Sequence, residues 1–158
     1  MKKALIILAI LVGFFGLVFM VLLGGLVYIG VKGPETHVVP GNTLNNSFVK
    51  TMRDMDLLEA GETIHFFYSD ALTDITEGMY VLTDRKLLLH SSLWEEPTHQ
   101  IGFSEIDTVD LERDESFFLD STVLLTLKDG SILDFPLSSE MDRDVVFSDK
   151  LKQMAGLQ

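Results

Sequence analysis

The chain begins with an uncharged, apolar run from Ala4 to Val31, which Lys2 and Lys3 precede and Lys32 follows. As a helix with a rise of about 1.5 Å per residue, this run reaches about 42 Å. The hydrocarbon core of a bilayer is about 30 Å thick, so the run is long enough to span it with some tilt. The sequence therefore predicts one transmembrane helix over residues 4–31, through which the rest of the chain is attached to the lipid bilayer.

A cleaved secretory signal peptide is the alternative interpretation of this run. Signal peptides have an apolar core of about 7 to 15 residues, followed by a cleavage site between small residues. Here the apolar run continues through Leu22 and Ile29 without such a site before Lys32, which favours an uncleaved signal anchor. The chain has no cysteine. A lipid-modified cysteine and a disulfide framework are therefore both excluded.

The lysines beside the run indicate its orientation, because positive charge is preferentially retained on the cytoplasmic side of a membrane. Lys2, Lys3 and the terminal amine precede the run, whereas Lys32 follows it and Lys50 and Arg53 come further along the chain. We expect a single-pass protein of the cell membrane with its amino terminus in the cytoplasm. The domain would then lie outside, in the periplasm or the extracellular space.

The remainder of the chain is strongly acidic. All 24 acidic residues lie after Pro34, whereas three of the 12 basic residues precede it, which leaves a net charge of about −15 on this part. Nucleic acids and anionic lipid headgroups bind to positively charged surfaces. The charge therefore argues against nucleic acid and against anionic headgroups as ligands.

Residues 32–43 contain prolines, glycines and polar residues with little periodicity, which is typical of a linker. An amphipathic helix is predicted over residues 44–58, and Asn42 or Thr43 can cap it. Apolar side chains recur there at helical spacing: Leu44, Phe48, Met52, Met55 and Leu58. Such a helix could instead lie on the bilayer surface, but its polar face mixes acidic with basic residues. We therefore expect it to pack on the domain that follows.

Short segments with strand character and turn signals follow this helix. They are residues 63–68, 79–83, 87–90, 94–103, 106–112, 123–127 and 131–135. Asp84 and Arg85 form a predicted tight turn, and the Asp129-Gly130 pair is the strongest hairpin signal in the chain. Pro97 fits the beginning of a strand or an edge strand, because it lacks a backbone donor.

A helix is predicted at the end of the chain. Its apolar residues lie near helical spacing: Met141, Val145, Val146, Phe147, Leu151 and Met154. Ser138 or Ser139 can cap it. The sequence thus predicts an α+β fold: one N-terminal transmembrane helix, then an antiparallel β-sandwich or barrel of about seven strands over residues 59–155, closed by a C-terminal helix.

Four segments resemble, in order and spacing, the bacterial pleckstrin-homology-like (PH-like) domains. They are LLEAGETI (57–64), GMYVLTDRKLLLH (78–90), FSEIDTVDLER (103–113) and LTLKDGSILDFPL (125–137). The resemblance covers residues 57–154, and its most specific part is the VLTDRKLLL hairpin at 81–89.

The resemblance implies a binding or assembly module of the kind that is often fused to membrane spans. Relatives that bind phosphoinositides use lysines and arginines in the loop after the first strand. Here that loop, residues 69–78, contains Asp70, Asp74 and Glu77 and no basic residue. We therefore expect a protein partner or self-association rather than a phosphoinositide.

No pattern of catalytic residues stands out. The sequence has neither a Gly-x-Ser-x-Gly motif nor a glycine-rich phosphate loop. His37, His65, His90 and His99 match no zinc spacing. The acids of loop 69–78 could bind a divalent cation, but they lack the alternate spacing and the central glycine of a calcium loop. We predict no catalytic residue, no metal and no cofactor.

Four apolar residues are candidates for contact with a partner. Phe117, Phe118 and Leu119 lie within a polar stretch between two predicted strands, and Trp94 lies in another loop. Exposed aromatic side chains in loops often mark a binding surface. The alternative is that the loop folds back and the phenylalanines complete the core.

Two functions remain open. The first is a membrane-anchored, non-catalytic scaffolding module that binds a protein near the membrane. The second is a sensor of lipid or of a small ligand. The acidic balance favours the first.

Overall fold

The computed structural model describes residues 11–25, 33–34, 36–113 and 119–157. The chain divides into two compact units, Met1–Gly33 and Pro34–Gln158. Among the described residues of the second unit, eight strands and two α-helices form around two apolar cores.

Residues 11–25 of the first unit form a helix, α1, within the predicted span of 4–31. Across the described part of the chain, the structure contains no helix that combines the length and the apolar character needed to cross a membrane. Residues 4–10 and 26–31 of the predicted span lie outside the described residues.

The larger sheet of the second unit is antiparallel, with the order β1-β2-β3-β4-β5. Its strands are β1 (Val39–Pro40), β2 (Ile64–Tyr68), β3 (Gly78–Thr83), β4 (Lys86–Ser91) and β5 (Thr98–Gly102). In β3, Met79 and Val81 are buried on one face of the sheet, and Tyr80 and Leu82 on the other. Alternate residues of a strand point to opposite faces, so the sheet is covered on both sides.

The turn between β3 and β4 is held by a side chain. Thr83 Oγ1 accepts hydrogen bonds from the backbone N–H groups of Arg85 at 3.1 Å and Lys86 at 3.0 Å. Threonine bonds of this kind substitute for backbone bonds in tight turns. The hairpin predicted around Asp84 and Arg85 is confirmed.

The smaller sheet is antiparallel with the order β6-β7-β8. Its strands are β6 (Ile106–Glu112), β7 (Ser121–Leu127) and β8 (Ile132–Leu137). The predicted Asp129-Gly130 turn joins β7 to β8, with Gly130 at φ 88°, a conformation in which glycine has no steric penalty. Asp129 Oδ1 accepts a hydrogen bond of 2.9 Å from the Ser131 N–H.

Helix α2 (Asn46–Asp54) covers the outer face of the larger sheet. Met52 is fully buried against the sheet, and the Phe48 and Phe67 rings stack with centroids 5.8 Å apart. The apolar stripe predicted over residues 44–58 thus packs on protein, but the helix itself is shorter than predicted and covers only Asn46–Asp54. The cap is Asn45, whose side chain accepts from Ser47 N–H, and not Asn42 or Thr43.

The predicted linker over residues 32–43 is partly wrong. Val38 and Val39 are buried in the two cores, and Val39–Pro40 forms β1 at the edge of the larger sheet. A proline is tolerated on an edge strand because its missing N–H costs no internal ladder bond. This segment therefore belongs to the domain.

The inner core lies between the two sheets and helix α3 (Arg143–Ala155). Phe147 and Leu151 are fully buried there, whereas Met141 and Val146 of the predicted apolar stripe are exposed. The predicted caps Ser138 and Ser139 are also wrong, because the residue before α3 is Asp142, which has left-handed backbone angles.

The prediction of about seven strands in a sandwich or barrel needs two corrections. The described residues form eight strands, because β1 was not predicted, and these strands form two separate sheets rather than a closed barrel. The strand predicted at 94–103 begins only at Thr98, after Pro97.

Candidate functional site

Two stacked tyrosines lie at one end of the inner core. Tyr68 ends β2 and pairs in register with Tyr80 on β3, so both side chains point to the same face of the sheet. Their ring centroids are 6.2 Å apart, and their residues are only 4% and 2% exposed. A buried tyrosine usually requires a partner for its hydroxyl.

A separate aspartate accepts a hydrogen bond from each tyrosine. The Tyr68 hydroxyl donates to Asp120 Oδ2 at 2.5 Å, and the Tyr80 hydroxyl donates to Asp70 Oδ2 at 3.1 Å. Burial, together with these carboxylates, raises the pKa of both tyrosines above 10.0. The tyrosines therefore remain neutral donors, and they bring two loops of the chain to the same end of the domain.

Asp70, in the β2–β3 loop (residues 69–77), lies close to the first residue of β3. A Cβ at Gly78 would lie 2.1 Å from Asp70 Oδ1. A side chain at the first position of β3 would therefore displace this carboxylate. Glycine leaves the aspartate where it accepts the hydrogen bond from Tyr80.

Each of the three acids in this loop that could bind a cation accepts a hydrogen bond from within the protein. Asp70 accepts from Tyr80, Asp74 Oδ1 accepts from Thr76 N–H at 2.9 Å, and Glu77 Oε1 accepts from the Thr73 hydroxyl at 3.1 Å. In the ranges that the structure describes, no three histidine or acidic side chains form a group that could hold a metal ion.

Trp94 lies in the β4–β5 loop, residues 92–97, beside the tyrosine pair. Its ring is half-buried, with centroids 6.4 Å from Tyr80 and 5.5 Å from His99. The preceding Leu93 is 91% exposed. The loop is tied to its neighbour because the Ser92 N–H donates to the Glu77 carbonyl at 3.0 Å.

Leu119 lies next to Asp120, the acceptor of the Tyr68 hydroxyl, and is 60% exposed. It lines a cavity of about 350 Å³ together with Met141 and Glu140. The other two candidates, Phe117 and Phe118, lie outside the described residues.

These contacts define one surface, which we call the loop end: loops 69–77 and 92–97 together with residues 119–120. Trp94 and Leu119 both belong to it, because Tyr80 contacts Trp94 and Tyr68 binds Asp120. Leu72 and Leu93 are also exposed there, and no pattern in the sequence pointed to them. Both lie in short loops, where no periodicity singles out an apolar residue.

A groove opens from the loop end between the β4–β5 loop and strand β8, with a volume of about 300 Å³. It is lined by Trp94, Glu95, Glu96, His99, Ile132 and Asp134, among others. We call it the Trp94 groove. Its lining combines an aromatic ring and an exposed isoleucine with three carboxylates.

The histidines do not come together. His90 is buried on β4, where its ring nitrogens contact Thr98 Oγ1 at 2.7 Å and the Thr76 carbonyl at 3.1 Å. His99 lies against Trp94, while His37 and His65 are half-buried at other places in the fold. His90 thus has the role of a hydrogen-bonded core residue.

Comparison with solved structures identifies the architecture. The structure resembles a DUF1696 family protein with a pleckstrin-homology domain from Shewanella loihica PV-4, with a TM-score of 0.52 and 14% identity over 77% of this chain and 99% of that one. The fold is PH-like. A PH-domain-containing bacterial protein from Exiguobacterium sibiricum 255-15 is similar, with a TM-score of 0.51 and 18% identity over 77% of this chain and 61% of that one.

Sequence comparison adds no closer assignment. No protein-family model matches the chain, and no curated protein matches it. Identities of this size show a shared fold and leave the ligand open. The PH-like resemblance noted in the sequence is confirmed at the level of the fold.

Proposed function

We propose that this chain is a non-catalytic binding module, held at a membrane by residues 4–31, whose domain binds a protein partner beside the bilayer. The observation that carries the proposal is the loop end, where Leu72, Leu93 and Leu119 are exposed. They lie on segments that meet at this end of the domain, and exposed apolar surface is a common mark of protein interfaces. The non-catalytic role is supported by the PH-like fold.

The packed tyrosine pair beneath these leucines is suited to support a binding surface. Tyr68 and Tyr80 are held by stacking and by two carboxylates, so the loops that carry the leucines are fixed on a packed core. A surface that is already ordered loses little conformational entropy on binding.

Co-purification tests the binding of a protein. The full chain is tagged, extracted from its native membranes in mild detergent, and compared with a Leu93→Ser/Leu119→Ser variant. We expect the amount of partner recovered with the variant to fall by about tenfold or more. This corresponds to a loss of about 1.4 kcal/mol in binding free energy. Val146→Ser is the matched control, because Val146 is an exposed apolar residue on α3. Equal recovery from all three proteins would contradict the proposal.

Membrane attachment needs its own test, because the support for it is the uncharged run in the sequence. Alkaline carbonate extraction separates integral from peripheral proteins. We expect the full chain to remain with the membrane and a chain lacking residues 4–31 to be released. Release of both would exclude the anchor while leaving the binding function open.

Reporter fusions test the proposed orientation. Alkaline phosphatase is fused after Gln158, and in parallel a fluorescent protein that matures only in the cytoplasm. We expect phosphatase activity, which would place the domain outside. Fluorescence without phosphatase activity would place the domain in the cytoplasm.

A further inference from the structure

The lining of the Trp94 groove is negatively charged, as expected of a site that binds a cationic group. Glu95, Glu96 and Asp134 contribute three carboxylates to its lining. Within the described ranges, no salt bridge involves any of the three, whereas Lys50, Arg85, Lys86 and Arg113 are paired with other acids. These carboxylates are therefore available to a charged group from outside the domain.

The groove also offers an aromatic surface. The Trp94 ring is half-buried, so part of it is open to the groove. Tyr80 and His99 pack beside this ring, with centroids 6.4 Å and 5.5 Å away, which restricts its rotation. A guanidinium group stacks well on tryptophan and forms two parallel hydrogen bonds with a carboxylate, which a lysine ammonium cannot do.

The dimensions fit one side chain of a larger ligand. The volume of about 300 Å³ is at the lower end for small-molecule sites. Ile132, on the rim, is 68% exposed and can contact the aliphatic part of an inserted side chain. Leu93, the residue before Trp94, is also exposed.

We propose that the Trp94 groove binds an arginine side chain from a basic segment of the protein partner. The guanidinium would stack on Trp94 and pair with the carboxylates of Glu95, Glu96 or Asp134. The inference rests on the proposed function and specifies the chemistry of the partner. The net charge of about −15 after Pro34 draws a basic segment toward the domain before it docks.

Intrinsic fluorescence can test this directly, because Trp94 is the only tryptophan of the chain. The full chain in detergent micelles is titrated with an acetylated Gly-Arg-Gly-Arg-Gly peptide. We expect a saturable change in tryptophan emission. The same peptide with citrulline, the neutral analogue of arginine, should bind about tenfold or more weakly, because it keeps the shape and loses the charge.

Two triple variants separate the groove from general attraction to an acidic protein. Glu95→Gln/Glu96→Gln/Asp134→Asn removes the groove carboxylates. Asp107→Asn/Glu112→Gln/Asp149→Asn removes three carboxylates exposed elsewhere and changes the net charge equally. We expect the first to weaken peptide binding about tenfold or more and the second by less than about twofold. Equal weakening by both variants, or an unchanged emission, would overturn the proposal.

Further measurements separate this inference from the proposed function and from another occupant. If the partner co-purifies with the groove variant but not with Leu93→Ser/Leu119→Ser, the protein-binding function stands and the arginine site is wrong. If neither variant affects a partner, the proposed function fails. Phosphocholine tests a lipid headgroup: an emission change with phosphocholine and none with the arginine peptide would overturn the proposal.

Discussion

Asp144, the second residue of α3, is fully buried and accepts a hydrogen bond of 2.9 Å from Nε of Arg113. The Ser121 hydroxyl donates to the same carboxylate at 2.6 Å. One carboxylate therefore joins α3 to the chain that leaves β6 and to the first residue of β7. Asp142 also pairs with Arg113, at 2.8 Å, but its side chain is 75% exposed.

Removing the buried carboxylate should destabilise the domain. Asp144→Ala leaves Arg113 and Ser121 without this acceptor, and we expect the free energy of unfolding to fall by about 2–3 kcal/mol. Asp142→Asn is the control, because asparagine is tolerated at the left-handed backbone angles of this position. It should cost less than about 1 kcal/mol, as exposed ion pairs contribute little. Urea unfolding of the full chain in detergent, followed by Trp94 fluorescence, measures both. A loss of the same size from both variants would show that burial of Asp144 has no special effect.

Gly41 should not accept a side chain. A Cβ at this position would lie 1.9 Å from the backbone oxygen of Ile64, so β2 would have to move. We expect Gly41→Ala to cost about 1–3 kcal/mol of unfolding free energy, typical of overpacking. At Gly102 the nearest atom to an added Cβ is a Glu105 side-chain oxygen at 3.4 Å. Gly102→Ala should therefore change stability by less than about 1 kcal/mol, and the reverse order of the two variants would refute the close packing of Gly41.

Met52 tests whether α2 packs on the sheet or on lipid. Its side chain is fully buried in the outer core, so Met52→Ala should lower the unfolding free energy by about 2–5 kcal/mol, with or without lipid. Lys50→Ala, at a position 75% exposed, should have little effect on folding. Wild-type stability of Met52→Ala in detergent, combined with weaker attachment to vesicles, would instead indicate a helix on the bilayer surface.

The tyrosine pair should make the domain sensitive to alkali. The pKa of Tyr68 and of Tyr80 is raised above 10.0 by burial and by the nearby aspartates. In the unfolded chain tyrosine ionises near its ordinary pKa of about 10. The stability from these raised values is therefore fully present below about pH 10 and is lost as the pH rises further.

Tyrosinate absorbance measures this sensitivity. In a Tyr28→Phe background, only Tyr68 and Tyr80 contribute to the signal, because the chain has three tyrosines. We expect ionisation to coincide with the loss of circular dichroism. Ionisation near pH 10 in a protein that stays folded would show that the two hydroxyls are open to water.

Local patterns were sufficient to predict much of the fold. The Thr83 turn and the Asp129-Gly130 turn depend on residues within a few positions of each other, so their sequences identify the hairpins. β1 could not be predicted in this way. It has two residues, one of them a proline, and it exists because Val39 pairs with Phe67 much later in the chain.

The buried face of α3 differs from the predicted apolar face for a related reason. Its fully buried residues include Asp144 and Ser148 beside Phe147 and Leu151, so an apolar periodicity cannot find them all. Burial of Asp144 depends on Arg113, which is distant in sequence. A single chain gives no signal for such a pairing.

The candidate site was predicted only in part. Trp94 and Leu119 were identified because apolar residues are conspicuous in polar loops, and both lie at the loop end. Their proximity follows from the hydrogen bond between Tyr68 and Asp120 and from the stacking of Tyr68 on Tyr80. These contacts join residues that are far apart in the sequence. The loop sequences therefore indicate individual residues but not the surface that they form together.

Photo-crosslinking in the native membrane can show whether the loop end contacts a protein. Benzoylphenylalanine is placed at Leu93 or Leu119 of the full chain, with Asp149, which is exposed on α3, as the control position. We expect a discrete, heavier protein adduct from both loop-end positions and none from Asp149. No protein adduct from either leucine, or the same adducts from Asp149, would contradict the claim that this domain binds a protein through its loop end.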